Sequence, residues 1–333
     1  MYNSLKTMTC INTQNRITHN LMGGLGNQLF QIFTTISLSI EYNLNFYFIN
    51  TELLVVKGET IRPTYWNNLL EKLHLFLKKK DELTNNNIQI YEIYDLNKNN
   101  KHYEKIILPP FLNNKFTLNK ENMWECSDTI GEYKLKGYFQ SHIYFDEYKS
   151  QILQITGIND VRSKIKTEIE IQSNINNETN CNFIDFSNTI SMHFRLGDYK
   201  YLQSYHPLLT NEYYISSITY ILQQLNENEY PKQILYFCEE PDIEIVKEKI
   251  EIIRKIYPNF KYIRCNEIED WKQLLIMSLC KYNIIANSTF SWWAAYLNTN
   301  NHKIVCYPSV WFGYKLGNTT IDFPKDWIKI TFV

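Results

Sequence analysis

The sequence predicts an α/β protein built from two Rossmann-like halves with a cleft between them. Three observations predict it. A strand, a glycine turn and a helix open the chain, strands and helices alternate from Thr189 to Tyr307, and 333 residues exceed what one hydrophobic core fills.

Ile17 to Met22 reads as a strand, Gly23-Gly24-Leu25-Gly26-Asn27-Gln28 as a tight turn, and the run to Tyr42 as a helix. Asn45 to Ile49 reads as the next strand, so the chain starts with a βαβ unit, which requires a right-handed crossover and a parallel pair. From about Val56 to Lys136 the periodicity is weak, and only strands and loops of the first half are expected there. Phe145 to Ile171 carries Ile152, Ile155, Ile158, Val161, Ile165 and Ile169 at near-helical spacing and reads as one connecting helix. The Asn-rich Gln172 to Cys181 reads as an exposed linker. These signals place domain limits at 1–145, a connecting helix and linker at 146–182, and a second domain at 183–333.

In that second half the expected strands are Thr189 to Phe194, Gln233 to Cys238, Lys261 to Cys265, Asn283 to Ala286 and Lys303 to Tyr307. The expected helices are Asn211 to Leu225, Asp242 to Ile256, Glu267 to Cys280 and Phe290 to Leu297. A doubly wound sheet binds its ligand at the carboxyl ends of its strands.

Composition narrows the function classes. The 34 basic residues nearly cancel the 35 acidic ones, so there is no broad field for nucleic acid or an anionic membrane, although a local anion pocket remains open. The seven cysteines are scattered and never spaced C-x-x-C, which disfavours a zinc cage and a disulfide framework and fits a reducing cytosol. The N-terminal residues carry no apolar signal core and no run spans a bilayer, so a soluble cytoplasmic protein is expected. The Asn-x-Ser/Thr triplets at Asn177, Asn287 and Asn318 carry no weight without a secretion signal.

Several segments bear chemistry. Gly24-x-Gly26 lacks the third glycine of a dinucleotide motif, which falls at Leu29, leaving a turn into a helix N-terminus where backbone N–H groups and Asn27 or Gln28 face an anion or sugar hydroxyls. His193-Phe194-Arg195-Leu196-Gly197-Asp198-Tyr199 puts a guanidinium and a carboxylate at a strand end; arginine suits phosphate because its planar fork donates two parallel hydrogen bonds. An Arg195 to Asp198 ion pair closing a loop explains the same residues. Asn287-Ser288-Thr289-Phe290-Ser291-Trp292-Trp293 turns from a buried strand into a helix, a natural phosphate cradle that also serves as an N-cap with the tryptophans in the core. Asp270 opens a helix, and Glu239, Glu240 and Asp242 follow a strand; a carboxylate there can accept from guanine N–H groups or ribose hydroxyls. His206 lies in the loop after Tyr199.

Taken together, residues 23–31, Gly137-Tyr138-Phe139-Gln140-Ser141, residues 193–199 and Asn287 to Leu297 resemble the alpha-1,2-fucosyltransferase family. The resemblance implies a GT-B fold, GDP-fucose as donor, a glycan acceptor, inversion at the anomeric carbon and no metal or other cofactor. By position it implies Arg195 on the β-phosphate, His193 and Asp270 near the guanine, Ser288, Thr289 and Phe290 on the pyrophosphate, and Asn27 near the sugar or acceptor. The donor-binding set is thus His193, Arg195, Glu239, Asp270, Asn287, Ser288, Thr289, Phe290 and Ser291, with Gly24, Gly26, Asn27 and Gln28 on the sugar and acceptor side. Asp198 and His206 are the candidate bases, with Arg195 stabilising the leaving group. The family usually carries H-x-R-R-G-D; here Leu196 replaces the second arginine, as in the related protein O-fucosyltransferases, and Cys238-Glu239-Glu240 replaces an acidic pair. Those departures keep a transferase of another GDP- or UDP-sugar in view, beside a non-catalytic glycan-binding module.

Overall fold

The computed structural model describes residues 15–55, 60–83, 88–95, 105–109, 116–118, 124–126, 130–175, 184–267, 269–316 and 321–331. Part of the expected linker, residues 176–181, and the triplets at Asn177 and Asn318 lie outside them.

In chain order the first lobe contains β1 (Arg16–His19), α1 (Leu25–Glu41), β2 (Asn45–Ile49), β3 (Leu53–Leu54), β4 (Arg62–Pro63), β5 (Leu77–Lys78), β6 (Ile88–Tyr94), β7 (Phe116–Leu118), β8 (Trp124–Cys126) and β9 (Ile130–Lys136). Its main sheet runs β5-β2-β1-β9-β6 with every pair parallel, while β3–β4 and β7–β8 are small antiparallel pairs. The expected βαβ start is present, with Asn45–Ile49 as its second strand.

α2 (Lys149–Thr156) and α3 (Ile158–Ile175) follow. The single connecting helix expected over Phe145 to Ile171 is therefore two. Gly157 adopts φ 72, a left-handed conformation that ends α2 by donating its N–H to the Leu153 carbonyl, and α3 starts afresh after it.

The second lobe contains β10 (Thr189–His193), α4 (Asn211–Gln223), β11 (Gln233–Phe237), α5 (Ile243–Ile256), β12 (Lys261–Arg264), α6 (Asp270–Leu279), β13 (Tyr282–Ile284), α7 (Thr289–Leu297), β14 (Ile304–Pro308) and β15 (Ile328–Ile330). Its sheet is wholly parallel in the order β12-β11-β10-β13-β14-β15, the doubly wound arrangement in which strand order reverses between β10 and β13. The central strand β10 is buried along its whole length, as a parallel strand covered on both faces must be. The two-lobed α/β architecture expected from the sequence is what the chain adopts.

The lobes are joined by one continuous core. Phe30 and Phe33 of α1 pack on Trp292 and Trp293 of α7 with ring centroids 4.5 Å apart in both pairs, and Phe145 stacks on Trp293 at 5.4 Å. Both tryptophans are fully buried. Such aromatic pairs add about 0.5–1.5 kcal/mol each beyond the area they bury. Within the buried stretch of α1, Gln31 takes the Met22 N–H and donates to the Met22 carbonyl, and Thr35 donates to the Gln31 carbonyl, while Thr34 Oγ1 has no partner among the described residues. Among the described residues, no helix is long and apolar enough to cross a membrane.

Candidate active site

A cleft of about 1010 Å³ lies between the lobes, at the upper end of the range for cofactor and substrate sites. Its floor is the switch point. His193 and Arg195 leave the end of β10, and Asn287 to Phe290 leave the end of β13. The glycine turn of the first lobe meets them there, because β1 also delivers its helix to a point where strand order reverses.

Two helix N-termini converge on this floor. Ser288 caps α7, its Oγ accepting the Phe290 N–H at 3.3 Å, and Gly24 caps α1 with extended backbone. Gly26 lies against the turn opposite: a Cβ there would stand 2.4 Å from the Thr289 carbonyl carbon and 2.6 Å from the Phe290 nitrogen. Thr289 donates its hydroxyl to Asn27 Oδ1 at 3.0 Å, and Gln140 Nε2 donates to the same oxygen at 2.9 Å. The unpaired N–H groups and the two dipoles thus point one positive end from each lobe into a single space.

Arg195 crosses the ends of β10 and β11. It is ion-paired with both Asp198 and Glu239, and its guanidinium lies over the Tyr199 ring, 5.0 Å from the centroid. The loop-closing ion pair is therefore real, and it keeps the arginine inside the cleft rather than out of it. The loop is itself fixed from below by buried Asp242, which accepts the Gly197 N–H at 2.7 Å and pairs with Lys200 at 2.7 Å.

His193 is nearly buried, its ring 5.5 Å from Phe290, and its Nδ1 has no partner among the described residues. Burial and the neighbouring Arg195 push its pKa down to about 3, so the imidazole that lines the cleft is neutral. His206 is not a solvated loop residue: it stacks on Tyr199 at 4.5 Å and 14°, burial lowers its pKa, and its Nδ1 is also unpartnered among the described residues. Asn287 ties neighbouring loops together through Nδ2, which donates to the Pro207 and Trp311 carbonyls at 2.9 and 3.2 Å. Its Oδ1 has no partner among the described residues, and the residue is too buried to accept a glycan.

Asp270 opens α6 on the cleft wall and accepts the Tyr65 hydroxyl of the first lobe at 2.5 Å. Burial first, then the Asp270 charge, drives the Tyr65 pKa far up, so that hydroxyl stays a donor. Cys238 also lines the cleft, but burial raises its thiol to about 11, which removes it as a nucleophile at neutral pH.

Two expected site residues turn away. Gln28 is fully buried and spends its Nε2 on the Gly23 and Pro63 carbonyls at 3.0 and 2.8 Å. Ser291 is fully buried and donates back to the Ala286 and Ser288 carbonyls, because one residue further along α7 the side chain points into the core. His193, Arg195, Asp198, His206, Glu239, Asp270, Asn287 to Phe290, Gly24, Gly26 and Asn27 are all brought to the cleft. Sequence reasoning missed two cleft residues, Arg62, which lies where periodicity is weakest, and Arg264, whose place at a strand end was a usable signal, as well as Tyr65, the buried partner of Asp270. Among the described residues, no cluster of three or more His, Cys, Asp or Glu side chains could hold a metal ion.

Two parallel α/β lobes facing a cleft whose floor is lined by helix N-termini and an arginine define a GT-B type glycosyltransferase. Residues 6–330 match glycosyl transferase family 11, and the chain belongs to that family. Curated relatives include an alpha-1,2-colitosyltransferase of Escherichia coli, 28% identical over 94% of this chain and 98% of its own length. Another is the O-antigen biosynthesis glycosyltransferase WbnK of Escherichia coli, 28% identical over 93% of this chain and 99% of its own length. Among solved structures, a family 9 glycosyl transferase from Veillonella parvula aligns over 96% of this chain and 87% of its own with 11% identity and a TM-score of 0.45.

Proposed function

We propose that this glycosyltransferase moves L-fucose from GDP-fucose to a hydroxyl of a glycan acceptor, with inversion and an alpha-1,2 linkage. The observation that carries the reading is the convergence of Arg195 with the N-termini of α1 and α7 at the switch point. A diphosphate leaving group needs that kind of preorganised positive field. An alpha-1,2 linkage is supported by the name of the colitosyltransferase relative.

In this reading the second lobe, 183–333, takes the nucleotide and the first, 1–145, faces the acceptor. The Thr289 N–H at the start of α7 and the Arg195 guanidinium hold the phosphates. Glu239 and Asp270 accept from ribose hydroxyls and guanine N–H groups, and Asn27 with the open edge at Gly24 meets the sugar. The acceptor oxygen bonds to the anomeric carbon as the bond from that carbon to the β-phosphate oxygen breaks. The electron pair departs with GDP, and the acceptor's proton passes to a base. His206 is neutral and able to take it; Asp198 becomes free for the same role when phosphate replaces it on Arg195. A base contributes about 10²–10⁴-fold. Leaving-group charge is met by protein groups, so no metal is required in this scheme, and activity should survive EDTA; loss restored by Mg²⁺ would contradict it.

Thermal-shift screening against nucleotide sugars tests the donor. Stabilisation by UDP-sugars and not by GDP or GDP-fucose would overturn the assignment. Donor-dependent GDP release should fall sharply in Arg195→Ala, and equal rates in the two proteins would remove Arg195 from the site. A second reading, transfer of another GDP- or UDP-linked sugar, is favoured by Leu196 and by the colitose specified in the name of one relative.

A further inference from the structure

The cleft poses an electrostatic problem. Among the described residues, five carboxylates line it, Asp198, Glu239, Glu240, Glu267 and Asp270, against three guanidiniums, Arg62, Arg195 and Arg264. A nucleotide sugar brings further negative charge on its diphosphate. Two of the three cations are already committed, Arg195 to Asp198 and Glu239, and Arg264 to Glu240. Leu196, the residue beside Arg195, cannot help: it is 5% exposed and packs into the hydrophobic core of the second lobe.

Arg62 is different. It lines the same cleft from the first lobe, and among the described residues it forms no ion pair and no side-chain hydrogen bond. Its backbone is held in place. β4 pairs with β3 with Arg62 opposite Leu54, Thr64 donates its N–H to the Glu52 carbonyl at 2.9 Å, and Gln28 at the start of α1 donates to the Pro63 carbonyl at 2.8 Å. The residue is thereby held beside one of the two convergent helix N-termini. Its charge reaches across the gap. Burial raises the Tyr199 hydroxyl of the second lobe to about 12, and Arg195 followed by Arg62 acts against that rise.

We propose that Arg62 is a donor-binding residue, the second guanidinium for the sugar-bearing β-phosphate, so that the nucleotide sugar is clamped between an arginine from each lobe. The proposal rests on the donor reading above. It places the clamp at the β-phosphate because the first lobe faces the sugar end of the donor, and it makes lobe apposition a consequence of filling the site. A charge-assisted contact of this kind changes affinity by about 10- to 100-fold.

Titration calorimetry with GDP and GMP on the full chain tests it, using wild type, Arg62→Ala, Arg62→Lys and Arg195→Ala, with urea midpoints to establish that each variant folds. Arg62→Ala should weaken GDP by about 10- to 100-fold and leave GMP within about twofold of wild type, while Arg62→Lys retains part of the GDP affinity. GDP binding by Arg62→Ala equal to wild type, alongside weakened binding by Arg195→Ala, would overturn the clamp and leave the donor reading standing. Equal losses for GDP and GMP would place Arg62 away from the β-phosphate and overturn it as well. Wild-type protein that does not bind GDP would overturn both. If Arg62→Ala does not fold, the comparison runs on Arg62→Lys and Arg62→Gln, where charge retention and charge loss must separate in GDP affinity.

Discussion

Replacing Gly26 by alanine tests the convergence of the two helices directly. The added Cβ would sit 2.4 Å from the Thr289 carbonyl carbon and 2.6 Å from both the Thr289 oxygen and the Phe290 nitrogen. Carbon atoms pack at about 3.5–4.0 Å, so the shortfall is about 1 Å, and every atom met belongs to backbone that cannot rotate aside. The N-termini of α1 and α7 must therefore part by roughly that distance. Overpacking of this sort costs about 1–3 kcal/mol, and a displacement of about 1 Å at a reacting centre costs about 100-fold in turnover. Gly24→Ser is the control, because nothing lies within 4 Å of its Cβ position and serine is a favoured cap there. Urea unfolding and donor-dependent GDP release would be measured on all three proteins. Gly26→Ala should lose both midpoint and kcat/KM while Gly24→Ser keeps its midpoint. A Gly26→Ala protein with wild-type activity would show that the cleft floor does not depend on this contact.

Two further outcomes follow from charges that position the site. His142 contacts Asp146 through Nδ1 at 3.1 Å and Asp322 through Nε2 at 3.2 Å, binding the C-terminal segment to the interlobe junction. Burial opposes its charge, but the Asp146 hydrogen bond and the Asp322 charge outweigh burial and raise its pKa. A raised folded pKa means this stabilisation is complete below the unfolded value of about 6.5 and is lost as pH rises through the folded one. Urea midpoints of wild type and His142→Ala should converge with rising pH across that window, and parallel profiles would refute the linkage. Asp242→Ala removes the acceptor of the Gly197 N–H and the partner of Lys200, beneath the Arg195 loop. It should cost about 1–3 kcal/mol and lower kcat/KM through a loosened Arg195; a destabilised protein with unchanged donor affinity would separate the two effects.

The strand and helix elements were legible wherever burial imposes a single period. β10, β11 and α5 lie within a residue or so of their expected limits because apolar runs bounded by turns leave little choice. Gly157 shows where that reasoning fails. A glycine within a helical pattern reads as tolerated, and only the surrounding packing placed it in the left-handed conformation that splits the connecting helix. Gln28 and Ser291 fail for a related reason: each sits next to true cleft residues in sequence, and one step along a helix turns a side chain by about 100° into the core.

By itself, the sequence determined the α/β architecture, the strand ends that carry Arg195 and the Asn287 to Phe290 turn, and the absence of any broad charged field. These follow from local periodicity, turn chemistry and net charge, all of which are written in short stretches of chain. The tertiary structure alone decided that Gly26 lies on the Thr289 backbone, that Tyr65 meets Asp270, and that Arg62 lines the cleft between the lobes. Tyr65 and Asp270 are 205 residues apart in the chain, and no local pattern encodes such a contact. Only the packing of α1 against α7, driven by the shared aromatic core, brings the halves of the site together.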